Sequence, residues 1–325
     1  MRARQLGSTD LHLSVLGLGS FALGGAQWKF SWGPQDDQAS IDAIVRAVEL
    51  GVNWIDTAPV YGYGHAEEVV GAALKRCRAK PLVATKCGSR WEADGAIYRR
   101  LRKSSVREEA EASLRRLGVD VIDLYQMHWP QPEEEIEEGW GAMADLVKAG
   151  KVRYLGASNF SVAQMERVQT IHPIASLQPP YSLLRRDIEA DLLPFCARQH
   201  IGVVVYSPLQ KGLLTGAFSV TRRDSLPPED HRRNDPMFAE PQLSATLRFV
   251  EGLAQLAKAH RMSVAEVALA WVLRRLELTA AIVGARRPAQ IEETAGAAEQ
   301  DLSPGMLQAI EVLLEQRSRA LSPSR

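Results

Sequence analysis

Asp56, Tyr61, Lys86 and His128 each stand at or just beyond the end of a short apolar run. The runs are Val52–Asp56, Pro81–Lys86 and Val121–His128, and Tyr61 follows Asp56 by the loop Thr57-Ala58-Pro59-Val60. A carboxylate, a phenol, an amine and an imidazole at the ends of successive strands form one candidate proton-transfer site. The rival readings are structural polar residues, or a zinc site built on the Asp and the His. Lys86 in the centre is a poor neighbour for a divalent ion, and no His-x-His or His-Glu-x-x-His spacing occurs, so no metal is expected.

The elements that must position these residues alternate between strand and helix signals, which argues for a parallel sheet with crossover helices. Ser14–Gly19 reads as a buried first strand, preceded by a hairpin. A helix follows over about Asp37–Leu50, with Ile41, Ile44, Val45 and Val48 on one face and Gly51 closing it. Further helices are expected over Ala66–Cys77, Glu134–Lys148, Ser244–Ala259 and Val264–Leu276. Ser105 and Glu108 read as a capping box for a helix carrying Val106, Ala110, Leu114 and Leu117 inward and stopping at Gly118. Ser161 and Gln164 cap another. The remaining strands are Lys151–Ala157, Ser176–Gln178, Gly202–Tyr206 and Ala280–Val283. Eight strands, most followed by a helix, fit one (β/α)8 TIM barrel over 1–325 better than an open doubly wound sheet. The long segment 210–241 after strand seven reads as an insertion, and loops of that length are usually lids or disordered.

Size and composition agree. At 325 residues the chain has room for an α/β barrel, which takes about 250, or for two ordinary domains. Hydrophobic residues make up 46%, enough for a substantial core, and the formal charge of zero provides no global field for nucleic acid or anionic membrane. No run approaches the roughly 20 apolar residues of a membrane span. The stretch Leu11–Gln27 superficially resembles a signal peptide, but Asp10, His12 and its glycines favour the hairpin and first strand. Cys77, Cys87 and Cys196 are too few and too scattered for a disulfide framework, which fits a reducing, cytoplasmic compartment. Cys87 beside Lys86 is expected to be a structural thiol, because strand alternation turns its side chain away.

Several ordered segments together resemble the aldo-keto reductase family. They are Ile55–Gly64 with Glu67, Glu68 and Gly71; Asp123–Pro130; Gly150–Arg153 with Leu155–Phe160; Tyr206–Gly216; and Ile282–Pro288. The resemblance spans roughly Gly17 to Glu293 and is similar in kind to bacterial NADPH-dependent reductases. It implies a barrel with a nicotinamide cofactor extended across its mouth, bound without a glycine-rich dinucleotide fingerprint.

The resemblance also implies roles. Tyr61 is the acid that protonates a carbonyl oxygen while the nicotinamide supplies hydride to carbon. Lys86 is expected to lower the phenol's pKa from its usual value near 10, Asp56 to hold Lys86 charged, and His128 to hydrogen-bond the carbonyl. Ser158, Asn159 and Gln178 are implied as carboxamide ligands, and Tyr206 as the stacking aromatic. Ser207, Leu209, Lys211, Gly212 and Leu213 would close over the pyrophosphate. Gly284, Arg286, Gln290 and Glu293 fall at the adenosine end, where Arg286 would grip a 2′-phosphate, favouring NADPH/NADP+ over NADH. Thr294 stands where many relatives carry asparagine.

Trp28, Trp32, Trp91 and Trp129 crowd the expected substrate side, with Trp129 the foremost pocket wall. An aromatic mouth without an obvious anion site points to small-molecule aldehydes or ketones with apolar or small polar bodies. The expected function is NADPH-dependent carbonyl reduction; the rival is a nicotinamide-binding sensor with slow turnover. Substrate, reaction direction and oligomeric state are not written in the sequence.

Overall fold

The computed structural model describes residues 1–322. Its strands are β1 (Ala3–Gln5), β2 (His12–Ser14), β3 (Leu16–Gly19), β4 (Trp54–Asp56), β5 (Leu82–Cys87), β6 (Ser89–Trp91), β7 (Ile97–Arg99), β8 (Ile122–Met127), β9 (Val152–Ser158), β10 (Ser176–Gln178), β11 (Gly202–Val205) and β12 (Ala280–Gly284). Eight of them close into a parallel barrel in chain order, β3-β4-β5-β8-β9-β10-β11-β12 and back to β3. β1 and β2 form the expected antiparallel hairpin, and β6 and β7 form a second one just after the third barrel strand.

The helices are α1 (Asp37–Glu49), α2 (His65–Arg76), α3 (Lys103–Leu117), α4 (Ile136–Lys148), α5 (Val162–Gln169), α6 (Leu192–Arg198), α7 (Val220–Asp224), α8 (Gln242–Ala259), α9 (Val264–Leu273), α10 (Pro288–Ala295) and α11 (Pro304–Leu321). Their starts and stops follow local chemistry. The Asp36 side chain accepts from Ala39 N before α1, and Ser161 with Gln164 forms the expected capping box on α5. Gly118, in the left-handed region at φ 66°, ends α3. One expectation fails: Ser105 lies inside α3, which begins two residues earlier without a side-chain cap of its own. The first helical N–H and the chain leading into it are held from outside the helix. Glu138 of α4 accepts from Lys103 N, and Glu135 accepts from Leu101 N.

The barrel interior fills in two tiers. Below, Trp54, Ala84, Leu124, Val204, Ala280 and Ile282 pack together with Leu6, Leu11 and Leu13 of the N-terminal hairpin, which plugs the floor. Gly17 is obligatory in this tier, because a Cβ there would collide with the Trp54 indole. Above, the inward positions turn polar. Parallel register sets Lys86 beside Gln126, Gln126 beside Gly156, and Gly156 beside Ser176 in one row. A Cβ on Gly156 would stand 2.6 Å from Ser176 Oγ and 2.8 Å from Gln126 Cγ, so glycine makes room for the polar layer.

The 210–241 segment is built of short helical turns, α7 among them, around Leu213, Phe218, Leu226 and Phe238 packed on Leu243 of α8. It reaches across the barrel's C-terminal end: His231 N donates to Ser31 O at 3.0 Å, and the Arg232 guanidinium lies 4.5 Å from the Trp32 ring centroid. Cys87 turns outward, as alternation requires, with Sγ 3.7 Å from Met143 Sδ, and burial raises its pKa well above the ordinary thiol value. Among the described residues no helix is long and apolar enough to cross a membrane.

Candidate active site

The four residues read from the strand ends meet in one place. Asp56 ends β4, Lys86 is the inward residue near the end of β5, and His128 directly follows β8. Tyr61 comes from the turn after β4, held by Tyr61 N donating to Ala58 O at 3.1 Å. Lys86 Nζ spends its three protons inside the protein: on Asp56 Oδ2 at 2.7 Å, on Thr57 O at 2.9 Å and on Tyr61 Oη at 3.2 Å. Asp56 Oδ1 accepts from Gln178 Nε2 at 2.8 Å and from Gln126 Nε2 at 3.1 Å, which fixes the carboxylate from the other side.

The phenol ring is wedged among aromatics, with centroids 5.1 Å from Phe21, 5.8 Å from Trp28 and 5.8 Å from the His128 imidazole, which lies edge-on to it. Ser89 Oγ lies 3.3 Å from His128 Nδ1, and Arg99 Nη1 donates to the same oxygen.

Charge states follow from burial and neighbours. Burial pushes the Tyr61 phenol above its usual value, and the nearby Lys86 ammonium only partly counters it. That corrects the expectation of a lowered phenol: desolvation of a phenolate outweighs one cation here. Burial works against the charge on Lys86, but Asp56 and then Tyr61 hold its pKa above the ordinary amine value. His128 is driven well below its usual value by burial and then by the charges of Lys86 and Arg99, so its imidazole is neutral.

The residues expected at the cofactor form an arc around β9–β12. Tyr206 Oη donates to Asn159 Oδ1 at 2.9 Å; Asn159 Nδ2 donates to Ser158 Oγ and to His128 O; Ser158 Oγ donates to Gln178 O. Gln178 therefore serves two places, because its amide N–H groups hold Asp56 and Gln126. Ser207 and, between Leu209 and the buried Leu213, the residues Gln210, Lys211 and Gly212 have φ values of 54°, 46°, 55° and 98°. Lys211 Nζ pairs with Asp235 at 2.5 Å.

Arg286 is half-buried and tied to the loop after β3. It donates to Gln35 Oε1 and to the Trp32 and Pro34 carbonyls, while its backbone N–H donates to Gln290 Oε1. Burial, then the charge of Arg232, pulls its pKa down; Arg287 and Arg222 add to the effect and Asp230 opposes it. Gly284, in register with Gly19, and Glu293 are exposed, and the Thr294 hydroxyl is committed to Gln290 O and Ile291 O. Carboxamide-sized polar groups at one end and clustered guanidinium groups at the other fit a molecule with an amide head and a phosphorylated tail.

Of the four tryptophans, Trp28 reaches Tyr61 and Trp129 stacks on His128, with centroids 6.5 Å apart. Trp32 lies against Phe21, His231 and Arg232, whereas Trp91 lies tilted against Tyr63. A groove of about 680 Å³ opens beside Trp129 and Asn159 and continues past Phe160 and Ile188; Tyr61 and Lys86 are not part of its wall. Sequence reasoning missed Gln126, Phe21, Ser89 and Arg99. Gln126 carried a usable signal, since it alternates with His128 and so shares its inward face. Among the described residues no three His, Cys, Asp or Glu side chains group as metal ligands.

Comparison with known proteins places this geometry in context. The model of the aldo/keto reductase family matches residues 16–315. The chain is 38% identical over 295 residues to aldo-keto reductase YhdN of Bacillus subtilis, covering 90% of this chain and 87% of that protein. It is 37% identical over 317 residues to the NADH-specific methylglyoxal reductase of Escherichia coli, covering 93% and 95%. A solved structure of the glycerol dehydrogenase AKR11B4 from Gluconobacter oxydans superposes with a TM-score of 0.88 at 36% identity, covering 99% of this chain and 98% of that one.

Proposed function

The chain belongs to the aldo/keto reductase family, and from that premise we propose that it reduces an aldehyde or ketone to the alcohol with NADPH, Tyr61 delivering the proton. Enzymes of this family use nicotinamide cofactors, and a bound reduced nicotinamide supplies the hydride. The observation that carries the reading is the buried chain Asp56–Lys86–Tyr61 with a neutral imidazole edge-on to the phenol.

Burial keeps Tyr61 protonated at neutral pH, so it meets the carbonyl oxygen as a donor. As the proton leaves, the Lys86 ammonium stabilises the phenolate, and Asp56 keeps that ammonium charged and aimed. Ser89 Oγ accepts from Arg99 and lies 3.3 Å from His128 Nδ1; with the hydroxyl proton turned to that nitrogen, Nε2 would carry the imidazole N–H. That N–H is a second donor for the same carbonyl oxygen. General acid catalysis of this kind is typically worth about 10²–10⁴-fold.

Ser158, Asn159 and Gln178 would orient the carboxamide, Tyr206 would stack on the ring, and Ser207, Leu209 and the left-handed turn Gln210–Gly212, up to Leu213, would lie along the pyrophosphate. We assign the 2′-phosphate to Arg286. Three of its five N–H groups are committed to the loop after β3, which leaves one on each terminal nitrogen. The nearby Arg232, Arg287 and Arg222 favour a dianion there. The Escherichia coli relative is named NADH-specific, so family membership alone does not choose the cofactor; the guanidinium cluster favours NADPH. We also read 1–325 as one barrel domain, and its three buried free thiols fit a reducing cytoplasm.

The test is oxidation of NADPH by a panel of aldehydes, ketones and dicarbonyls, run beside a fluorescence titration of NADPH binding. Turnover of some panel members with a tight NADPH complex is expected. Tight binding without oxidation by any carbonyl would replace the reductase with a nicotinamide sensor, and absence of binding would end both.

A further inference from the structure

One cation beside the candidate site acts in the reading above only through Ser89. Arg99 ends β7, opposite Ser89 in the β6–β7 hairpin. Its Nη1 donates to Ser89 Oγ at 2.5 Å, and that oxygen lies 3.3 Å from His128 Nδ1. Its guanidinium carbon stands 5.5 Å from the Trp129 ring centroid, and the Trp129 ring in turn stacks on His128. Arg99 thus flanks the imidazole through one shared hydroxyl and one shared aromatic face.

Among the described residues no carboxylate lies within ion-pair reach of Arg99, whereas Arg90 on the same hairpin bonds Glu108 at 3.0 Å. Among the described residues Ser89 Oγ is its one hydrogen-bond acceptor, so most of its N–H donors are unspent there, and they are not among the sealed polar atoms of the interior. Arg99 is partly buried, and burial draws its pKa down with only Tyr61 opposing. A guanidinium kept partly dry with no counter-charge is unfavourable unless a ligand supplies one. Its flat fork fits carboxylate and phosphate oxygens bidentately, and an aromatic face beneath it strengthens the arrangement.

Resting on the reductase reading, we propose that Arg99, seated over Trp129, is a specificity-determining residue that binds an oxyanion carried by the carbonyl substrate. The substrate class is then a short oxo acid or oxo phosphate rather than the neutral carbonyl compound that the aromatic residues alone suggested. The Ser89 hydroxyl and the imidazole stand between the guanidinium and the place where a carbonyl oxygen would meet Tyr61 and His128, so a short chain of several atoms would separate the anion from the reacting carbon.

The experiment compares kcat/KM for 4-oxobutanoate against butanal and for glyceraldehyde 3-phosphate against glyceraldehyde, in wild type, Arg99→Met and Arg99→Lys. Wild type should prefer at least one anionic partner. Arg99→Met should lose about 10–100-fold more on that partner than on its neutral counterpart, the scale of hydrogen bonds to a charged group, with the excess loss appearing in KM. Arg99→Lys should recover part of the loss, and preference for acid or phosphate identifies which oxyanion the site takes. Calorimetric titration of succinate, or of glycerol 3-phosphate where the phosphate is preferred, into the cofactor-loaded protein should show binding that Arg99→Met abolishes. Equal losses on anionic and neutral partners, or turnover of neutral aldehydes with no anionic preference in wild type, would overturn the anion site and leave the reductase standing. If no carbonyl is reduced at all, the reductase reading fails, and the two titrations still decide whether Arg99 holds an anion.

Discussion

Lys86 Nζ lies 2.7 Å from Asp56 Oδ2 with side-chain exposures of 0% and 5%, so the barrel holds an ion pair at the boundary between its apolar floor and its reactive mouth. The pair persists because all three Lys86 protons are used, on Asp56, Thr57 O and Tyr61, and Asp56 accepts two further hydrogen bonds from Gln126 and Gln178. Removing one partner leaves the other charge stranded. Lys86→Met is expected to destabilise the fold by about 3–5 kcal/mol as well as to stop turnover. The double variant Lys86→Met with Asp56→Asn should regain most of the stability and none of the activity, measured by urea midpoints and initial rates. Full stability in the single variant would show that the pair carries no structural weight.

Tyr61→Phe keeps the ring among Phe21, Trp28 and His128 and removes only the hydroxyl. It should abolish carbonyl reduction and leave the NADPH dissociation constant within a few-fold. The pH profile tests the same assignment from the other side. His128 is neutral through the ordinary range, and the Tyr61 phenol is held above 10.0 by burial, so the chemical step of reduction should be flat across neutral pH. It should decline only in alkali, where the acid loses its proton. A single-turnover rate that rises or falls steeply near the ordinary imidazole value of 6.5 would mean that His128, not Tyr61, sets the protonation state.

The barrel and the four meeting residues were legible because both signals are local. Buried parallel strands read as short apolar runs, and a polar residue ending such a run has to stand at the rim. What was not legible depended on partners distant in sequence. α3 starts before Ser105, where Glu138 of the next helix accepts from Lys103 N and Glu135, just before that helix, fixes the approaching chain through Leu101 N. The direction of the Tyr61 shift turned on how dry the phenol is, and no motif states that. Arg99 lies in a hairpin whose strands are three residues each, too short for alternation to register, although Asp94-Gly95 at its tip is a turn signal in its own right. Arg286 was found as a candidate phosphate ligand, but its bonds to the loop after β3 follow from the closure of that loop over the rim.

Those bonds shape the cofactor prediction. Arg286→Ala should weaken NADPH binding by about 10–100-fold, the scale of hydrogen bonds to a charged group, while NADH, which lacks the 2′-phosphate, changes by less than about threefold. Fluorescence titration of both cofactors measures the two constants directly. Equal weakening of both would assign Arg286 to tethering the loop through Trp32 and Pro34 rather than to reading the phosphate.

Glu109 on α3 provides a stability prediction independent of catalysis. Its Oε2 accepts from Gly88 N at 3.0 Å and its Oε1 from Ser105 Oγ at 3.2 Å, behind the strand that carries Lys86. Burial pushes its pKa from 4.5 up to about 7, against the pull of the Gly88 N–H and of Arg90. The folded chain therefore binds this proton more tightly than the unfolded one. The resulting stabilisation is complete below pH 4.5 and is lost as pH rises to about 7, a change of roughly 3 kcal/mol at 1.36 kcal/mol per unit. In Glu109→Gln the amide oxygen can still accept from Gly88 N, the amide N–H can reach Ser105, and no charge has to be buried. The variant should gain on wild type as pH is raised from 5 to 8, read as a widening gap between urea midpoints. A gap that stays constant across that range would mean that Glu109 carries its charge in the folded protein as readily as in the unfolded chain.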